Sequence, residues 1–255
     1  MFIDTHAHIY SEEFTEDIEE MLSSARSAGV TDIYMPNIDS TSIEGMLNIG
    51  AAHPFCHPMI GLHPCYVKEN YEMELKIVEK HLNENHFAGI GEIGIDLYWD
   101  TSFAKEQKWV FRRQIEFARD AGLPFVIHSR ESLDITIAIV QEMQNGSLRG
   151  IFHCFSGNRE QALKIIDIGF YLGIGGVITY KNAGLDQVVS GISATHLVLE
   201  TDAPYLSPVP YRGKRNECAY ILKIAEKLAE KKGVTLSEIA AITTNNANKV
   251  FHGTP

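Results

Sequence analysis

The chain has 255 residues, a hydrophobic fraction of 45% and a formal net charge of −11 at pH 7. This length suits one large α/β domain, and the hydrophobic content is ample for a substantial core. The acidic charge excludes broad, nonspecific binding of duplex DNA, which depends on a basic surface. It leaves open a small phosphate-bearing substrate, or a strand end held by a local cluster of cations.

Apolar runs alternate with stretches of helical period along the whole chain, a pattern typical of βα units and a parallel sheet. The predicted strands are, in chain order, Phe2–Asp4, Thr31–Pro36, Pro58–Gly61, Ala88–Ile93, Pro124–His128, Ile151–His153, Tyr171–Gly173 and Leu197–Glu200. The predicted helices lie near Glu12–Ala28, Ser42–Ala52, Met73–Asn83, Ala104–Ala121, Leu133–Met143, Arg159–Ile168, Leu185–Ser190, Ala219–Lys232 and Leu236–Val250. Eight such units predict a TIM (β/α)8 barrel. No linker or low-complexity tract interrupts them, so we predict a single domain over residues 1–255.

Signals for secretion or membrane insertion are not evident in the sequence. The four cysteines show neither CxxC spacing nor a pattern typical of disulfides, and the Met-Phe-Ile-Asp start does not resemble a signal peptide. No stretch approaches the roughly 18 uninterrupted apolar residues of a membrane span. We therefore expect a cytoplasmic location and no membrane partner.

Six residues with metal-binding side chains stand where predicted strands end. They are His6, His8, Glu92, His128, His153 and Asp202. The carboxyl ends of parallel barrel strands form one rim, where catalytic groups of TIM barrels lie, so we expect these side chains to meet there. His6 and His8 are two residues apart in an extended segment, so both imidazoles project the same way and can chelate one ion. Imidazole and carboxylate suit zinc, manganese and related divalent ions, and this set predicts a binuclear site.

Other histidines and cysteines have a simpler interpretation. We expect structural or solvated roles for His53, His57, His81, His86, His196 and His252, two of which stand at strand beginnings, on the opposite rim. Cys154 follows His153 and should point away from the site, so we expect it to be a small core residue.

The motifs DTHAHIY, GLHP, GEIGIDLYW, VIHSR, HCFSG and ETDAPYLSP…YRGKRNE resemble those of the TatD-type metal-dependent hydrolases, within the amidohydrolase superfamily. The resemblance spans the chain from Asp4 to TTNNANKVF. It implies a two-metal TIM-barrel hydrolase, in a family where several members act as deoxyribonucleases on strand ends. Two positions depart from the pattern: Cys65-Tyr66 follows GLHP, and Cys218 follows RNE. These departures put loop shape and substrate range in doubt, but neither involves a ligand.

The resemblance also implies individual roles. His6, His8 and Asp202 would bind the first of two divalent ions (Zn, Mg or Mn), His128 and His153 the second, and Glu92 would bridge them. A water activated by the metals would attack a phosphorus or carbonyl centre, with Asp202 accepting its proton. His63, in GLHP, is expected to stabilise the charged transition state or to contact phosphate. The alternative is that it only supports a neighbouring residue by a hydrogen bond.

Four cations follow the predicted strand ends, namely Arg130, Arg212, Lys214 and Arg215. In an acidic chain they form a local reversal of charge, and guanidinium groups match phosphate oxygens well, so we predict that they bind the substrate phosphates. The alternative is that one or two pair with Glu200, Glu217 or Asp96 and only hold loops together. Tyr205, Tyr211 and Trp99 could stack on a base at this rim or serve in packing.

Three functional hypotheses remain open. The leading one is a divalent-metal-dependent deoxyribonuclease acting on single-stranded DNA or strand ends. The second is an amidohydrolase that uses the same binuclear centre on a small amide, ester or lactone. The third is a noncatalytic barrel with structural metals. Structural sites are closed by four protein ligands, whereas this set leaves open positions on two ions.

Overall fold

The computed structural model describes residues 1–253 and contains one eight-stranded parallel sheet in the order β1 to β8. The strands are β1 (Phe2–Asp4), β2 (Val30–Pro36), β3 (Cys56–Ile60), β4 (Gly89–Asp96), β5 (Phe125–Arg130), β6 (Gly150–Phe152), β7 (Tyr171–Ile174) and β8 (Leu197–Leu199). This is the predicted TIM-barrel architecture, and the fold prediction is confirmed. The single domain over 1–255 stays a prediction, and its residues 254 and 255 lie outside the described residues.

Backbone hydrogen bonds join the segments that follow β8 and β1. Asp202 donates its N–H to the carbonyl of His6 (2.8 Å), and His8 donates its N–H to the carbonyl of Ala203 (2.7 Å). These bonds connect the first strand to the last. The seam of the barrel is therefore built from the segments that carry three of the predicted metal ligands.

Helices follow the strands and pack their apolar faces on the sheet. They are α1 (Ile18–Ser27), α2 (Ile43–Ala52), α3 (Tyr71–Glu84), α4 (Ala104–Ala121), α5 (Leu133–Met143), α6 (Arg159–Asp167), α7 (Leu185–Ser190), α8 (Ile221–Lys232) and α9 (Leu236–His252). The start of α6 is fixed by a capping box between Asn158 and Gln161, and that of α9 by one between Thr235 and Glu238. Within residues 1–253, no helix is both long and apolar enough to span a membrane.

The prediction of a continuous first helix over Glu12–Ala28 is wrong for its first six residues. Residues Glu12–Phe14 form a short 3₁₀ turn, and α1 begins only at Ile18. The cause is Arg215, which donates to the carbonyl of Glu13 (2.5 Å) and to both carboxylate oxygens of Asp17. In a continuous α-helix that carbonyl would accept the N–H of Asp17. A long-range contact therefore replaces the local one.

Candidate metal centre

All six predicted ligands meet at the carboxyl ends of the strands. His6 and His8 follow β1, Glu92 lies within β4, His128 within β5, His153 follows β6 and Asp202 follows β8. Five of the six are buried, and His128 is partly exposed. Buried ionisable side chains need compensating partners, so this cluster is either a network of ion pairs or a cation site.

Glu92 lies at the centre of the cluster. Its Oε2 is 3.1 Å from Nε2 of His6 and 3.3 Å from Nε2 of His8. Its Oε1 is 2.8 Å from Nδ1 of His128 and 2.9 Å from Nε2 of His153. Although burial opposes it, the charges of the surrounding imidazoles hold the pKa of Glu92 well below its usual range. The two oxygens of one carboxylate thus face two different pairs of imidazoles.

Asp202 approaches the first of these pairs from the neighbouring segment, which follows β8. Its Oδ1 lies 3.6 Å from Nε2 of His6 and 3.7 Å from Nε2 of His8. The residue adopts a left-handed backbone conformation (φ 59°), which aspartate tolerates better than most residues do. Burial raises the pKa of Asp202 to about 6.

The hydrogen-bond partner of His8 fixes its tautomer. Tyr10 donates its hydroxyl to the carbonyl of Pro36 (2.5 Å), and the same hydroxyl lies 2.9 Å from Nδ1 of His8. Because a carbonyl can only accept, the hydroxyl proton is used there, and Nδ1 of His8 must donate. The proton of the neutral imidazole is therefore on Nδ1, and Nε2 presents a lone pair to Glu92 and Asp202.

Carboxylates stand behind the other pair of imidazoles. Oδ2 of Asp96 accepts a hydrogen bond from Nε2 of His128 (2.8 Å), which leaves Nδ1 facing Glu92. Oε1 of Glu200 lies 3.4 Å from Nδ1 of His153 and accepts the N–H of Cys154. Histidines that bind metals are commonly oriented by carboxylates in this way.

The chemistry of the donor set fits divalent cations. Nε2 of His6 and Nε2 of His8 are only 3.2 Å apart, and both face the carboxylates of Glu92 and Asp202. Although burial acts against it, Glu92 raises the pKa of His153 well above its ordinary value. Asp96 and Glu92 likewise raise that of His128, again against burial. The carboxylates therefore stabilise positive charge on the second pair of histidines, and three groups of three ligand atoms lie within 4.8 Å of one another.

His63 has the opposite tautomer from His8. Its Nδ1 accepts the backbone N–H of Cys65 (3.1 Å), and burial lowers the pKa of His63. The proton of this neutral imidazole is therefore on Nε2, which lies 3.5 Å from Oε1 of Glu92. Although His63, Glu92 and His128 could together hold an ion, this arrangement presents a hydrogen-bond donor to the centre rather than a lone pair.

Three of the four rim cations are exposed and have no carboxylate within ion-pair distance among the residues that the structure describes. They are Arg130, Arg212 and Lys214. The guanidinium of Arg130 lies over the ring of Tyr98 (3.8 Å to the centroid), and that of Arg212 lies over the ring of Tyr180 (4.2 Å). Aromatic faces hold a guanidinium in place while leaving its N–H groups free to bind an anion.

Arg215 differs from the other three cations. It forms two hydrogen bonds with Asp17 and one with Glu217, and its guanidinium lies over Phe14. These contacts match the alternative in which a rim cation pairs with carboxylates and only holds loops together. Arg215 connects the loop after β8 to the segment before α1.

The three aromatic residues considered for base stacking have different surroundings. Tyr211 stacks on Tyr220 at 3.9 Å and is used in packing. Tyr205 is half exposed and lies edge-on to His8. Trp99 is 69% exposed. Two of the three therefore present a free face at the rim.

Sequence and structure comparisons agree with this geometry. Residues 3–252 match the family model described as TatD related DNase. The chain belongs to this family. It is 38% identical over 252 residues to the metal-dependent hydrolase YabD of Bacillus subtilis (strain 168), in an alignment that covers 98% of this chain and 99% of that protein. It is 31% identical to the metal-dependent hydrolase YcfH of Escherichia coli (strain K12), in an alignment that covers 98% of this chain and 95% of that protein.

A solved TatD homologue has the same fold. The crystal structure of YjjV from Escherichia coli K12 superposes with a TM-score of 0.94 at 28% identity, covering 100% of this chain and 98% of that one. The family resemblance predicted from the motifs is thus confirmed, and this TatD-family chain is a metal-dependent hydrolase. The hypothesis of a noncatalytic barrel finds no support.

Three residues of this TatD-family centre were not predicted as site residues: Tyr10, Asp96 and Glu200. A signal exists for each. Tyr10 continues the period of two that relates His6 to His8 in THAHIY. Asp96 and Glu200 are acidic residues that end apolar strands, although the sequence suggested them only as partners for the rim cations.

Proposed function

We propose that this TatD-family hydrolase is a deoxyribonuclease that cleaves phosphodiester bonds near single-stranded or frayed DNA ends. The main support is a single observation: in a chain of net charge −11, three cations with no ion-pair partner within residues 1–253 lie at the end of β5 and in the loop after β8, the same segments that carry His128 and Asp202. Neutral amides or lactones would not need such cations, whereas phosphate oxygens bind them directly.

Two divalent ions (Zn, Mg or Mn) fit the ligand geometry. In our proposal His6, His8 and Asp202 hold one ion, His128 and His153 hold the other, and Glu92 contributes one oxygen to each. The support for this division is that Oε2 of Glu92 faces the first pair of histidines and Oε1 faces the second. When bound, such a pair of ions lowers the pKa of water and offsets the charge that develops on the phosphodiester oxygens.

Asp202 is proposed as the proton acceptor for the attacking water. Its carboxylate borders the centre rather than lying behind an imidazole, which places it beside the site of a metal-activated water. Glu92 is less suited to this role, because the imidazoles that surround it stabilise its ionised form.

His63 is proposed as a donor to the phosphate. The N–H of Cys65 keeps its proton on Nε2, which points towards Glu92 and the centre. A neutral donor placed there stabilises charge on a non-bridging oxygen as the phosphorus is attacked. Its loss should lower kcat by about 10²- to 10³-fold, the range found for single donors to developing oxyanions, while metal binding is retained.

Arg130, Arg212 and Lys214 are proposed to bind the flanking phosphates. Arg212 and Lys214 lie in the loop after β8, which Arg215 fastens to the segment before α1. In this proposal Arg215 holds the loop in place and does not contact phosphate directly, unlike the role predicted for it from the sequence.

The experiment compares metal-loaded protein on single-stranded DNA, RNA and a panel of small esters, lactones and amides, with and without a chelator. We expect nucleotide release from DNA that stops with chelator and returns with added metal. The Arg212→Ala/Lys214→Ala variant should raise KM for DNA steeply, since each phosphate contact contributes to affinity. Lys108→Ala, which removes an exposed cation from the outer face of α4, is the matched control and should have little effect.

Turnover of a lactone or amide with intact DNA would overturn the proposal in favour of a small-molecule amidohydrolase. Equal effects of the rim and control variants would also count against it. The cytoplasmic location stays a prediction.

A further inference from the structure

We propose that Tyr98, Trp99 and Arg130 form a subsite for one unpaired nucleotide next to the scissile bond. This inference rests on the proposed function and adds a part of the substrate that the metal centre does not define. The two aromatic residues, called here the Tyr98–Trp99 platform, follow Leu97, the first residue after β4, and are 53% and 69% exposed. Their rings meet edge to face at 4.9 Å.

The platform is tied to the metal centre by one carboxylate. Oδ2 of Asp96 accepts a hydrogen bond from His128, while Oδ1 accepts the backbone N–H groups of Tyr98 (2.9 Å) and Trp99 (3.3 Å). The aromatic rings are therefore placed relative to a proposed metal ligand through a single side chain. A substrate bound on the platform would be positioned relative to the reacting phosphate.

The far end of the same loop is also fixed. Lys68 pairs with Asp100 at 2.8 Å, and the ammonium lies 5.5 Å from the ring centroid of Phe103. With Asp96 at one end and Lys68 at the other, the loop presents Trp99 to solvent from a held backbone. Binding to a preorganised surface loses less conformational entropy than binding to a mobile one.

Arg130 gives the platform its charge. Its guanidinium lies 3.8 Å from the Tyr98 centroid and 5.1 Å from the Trp99 centroid. Large aromatic side chains combined with a cation are the elements that bind single-stranded nucleic acid, because bases stack on rings and phosphates bind guanidinium. A base in the interior of a duplex has both faces covered and cannot stack on this platform, whereas an unpaired base can.

A cavity of about 690 Å³ lies next to Arg130. Its lining includes Arg130 of the proposed subsite and His153 of the metal centre. Glu131 and Asp134 also line it, and Arg130 is its only lysine or arginine among the described residues. We therefore place the phosphate at Arg130 and the base on the platform, with the cavity connecting them to the reacting bond.

The first test is a binding measurement that does not depend on turnover. The chain has two tryptophans, Trp99 and Trp109, so Trp109→Phe leaves Trp99 as the only indole. Metal-loaded Trp109→Phe protein is titrated with a phosphorothioate octathymidylate, which resists hydrolysis, and with an abasic oligomer of equal charge. We expect the thymidylate to quench Trp99 fluorescence and the abasic oligomer to leave it nearly unchanged.

The second test is kinetic. Trp99→Ala should raise KM for single-stranded DNA by about 5- to 100-fold, the range for one stacked base, with kcat changed by less than about twofold. Trp99→Phe keeps an aromatic face and should recover most of the loss. Trp109→Ala, which removes the other exposed indole from α4, is the matched control and should leave KM unchanged.

The outcomes separate this inference from the proposed function. Quenching by thymidylate without any DNA cleavage would retain the subsite and refute the deoxyribonuclease. Cleavage of DNA with no quenching, or with an unchanged KM in Trp99→Ala, would overturn the subsite and retain the deoxyribonuclease. Equal quenching by the abasic oligomer would also overturn it, because charge alone would then explain binding.

Discussion

Tyr10→Phe removes one hydroxyl and tests the assignment of the His8 tautomer. That hydroxyl is the only hydrogen-bond partner of Nδ1 of His8 among the described residues, and His8 is 3% exposed. Leaving a buried polar group unpaired costs about 1–3 kcal/mol, so the free energy of unfolding of the metal-free protein should fall by that amount. Without the acceptor, the proton can move to Nε2 and block the lone pair. We expect metal affinity to fall by about 10- to 100-fold, as is usual when a group that orients a ligand is lost.

The assay titrates metal-free protein with Zn²⁺ and Mn²⁺ in competition with a chelating dye. Long-range ¹H–¹⁵N spectra of the imidazoles would report the tautomer of His8 directly. Tyr34→Phe is the control, since it also removes a tyrosine hydroxyl, but Tyr34 packs on Phe251, away from the centre. A Tyr10→Phe protein that binds both ions with wild-type affinity would refute the reasoning.

Three further predictions concern stability and metal loading. Burial raises the pKa of Asp4 to about 7. The contribution of Asp4 to the free energy of unfolding is therefore present below its unfolded-state pKa of 3.8 and is lost as the pH rises through 7. Urea unfolding of Asp4→Asn should show a weaker pH dependence than that of the wild type in this range. In Gly173→Ala the new Cβ would overlap the carboxylate of Glu200. This overpacking should lower the free energy of unfolding, measured by denaturant titration, by about 1–3 kcal/mol. Gly45→Ala is the control and should not lower it, because there is open space around Gly45. A divalent ion at one hundred times its Kd should stabilise the folded protein by about 2.7 kcal/mol per site in thermal unfolding, and a chelator should reverse this effect. An unfolding midpoint that is the same with and without metal would contradict the proposal that the centre binds metal.

The barrel and its six candidate ligands could be predicted because the relevant signals are local. A histidine or carboxylate after an apolar run is visible in the sequence, and parallel strands bring such positions to one rim whatever the helices between them look like. His128 and His153 needed no knowledge of their neighbours to be proposed.

The supporting contacts could not be predicted, because they depend on which side chains meet across the barrel. Asp96 and Glu200 were considered only as alternative partners of the rim cations, but they lie behind His128 and His153. The interruption of the first helix is a similar case. The sequence between Glu12 and Ala28 is compatible with a continuous helix, and it is broken by Arg215, about 200 residues away.

The barrel seam has a consequence for synthesis of the protein. His6 and His8 are made well before Asp202, whose N–H binds the carbonyl of His6 and which follows the last strand. A nascent or truncated chain that ends before residue 202 therefore lacks part of the centre, however well its first strands have formed. A ribosome-bound chain of this hydrolase would be inactive until Asp202 had been translated, so that hydrolytic activity appears only after the last strand of the barrel has been made.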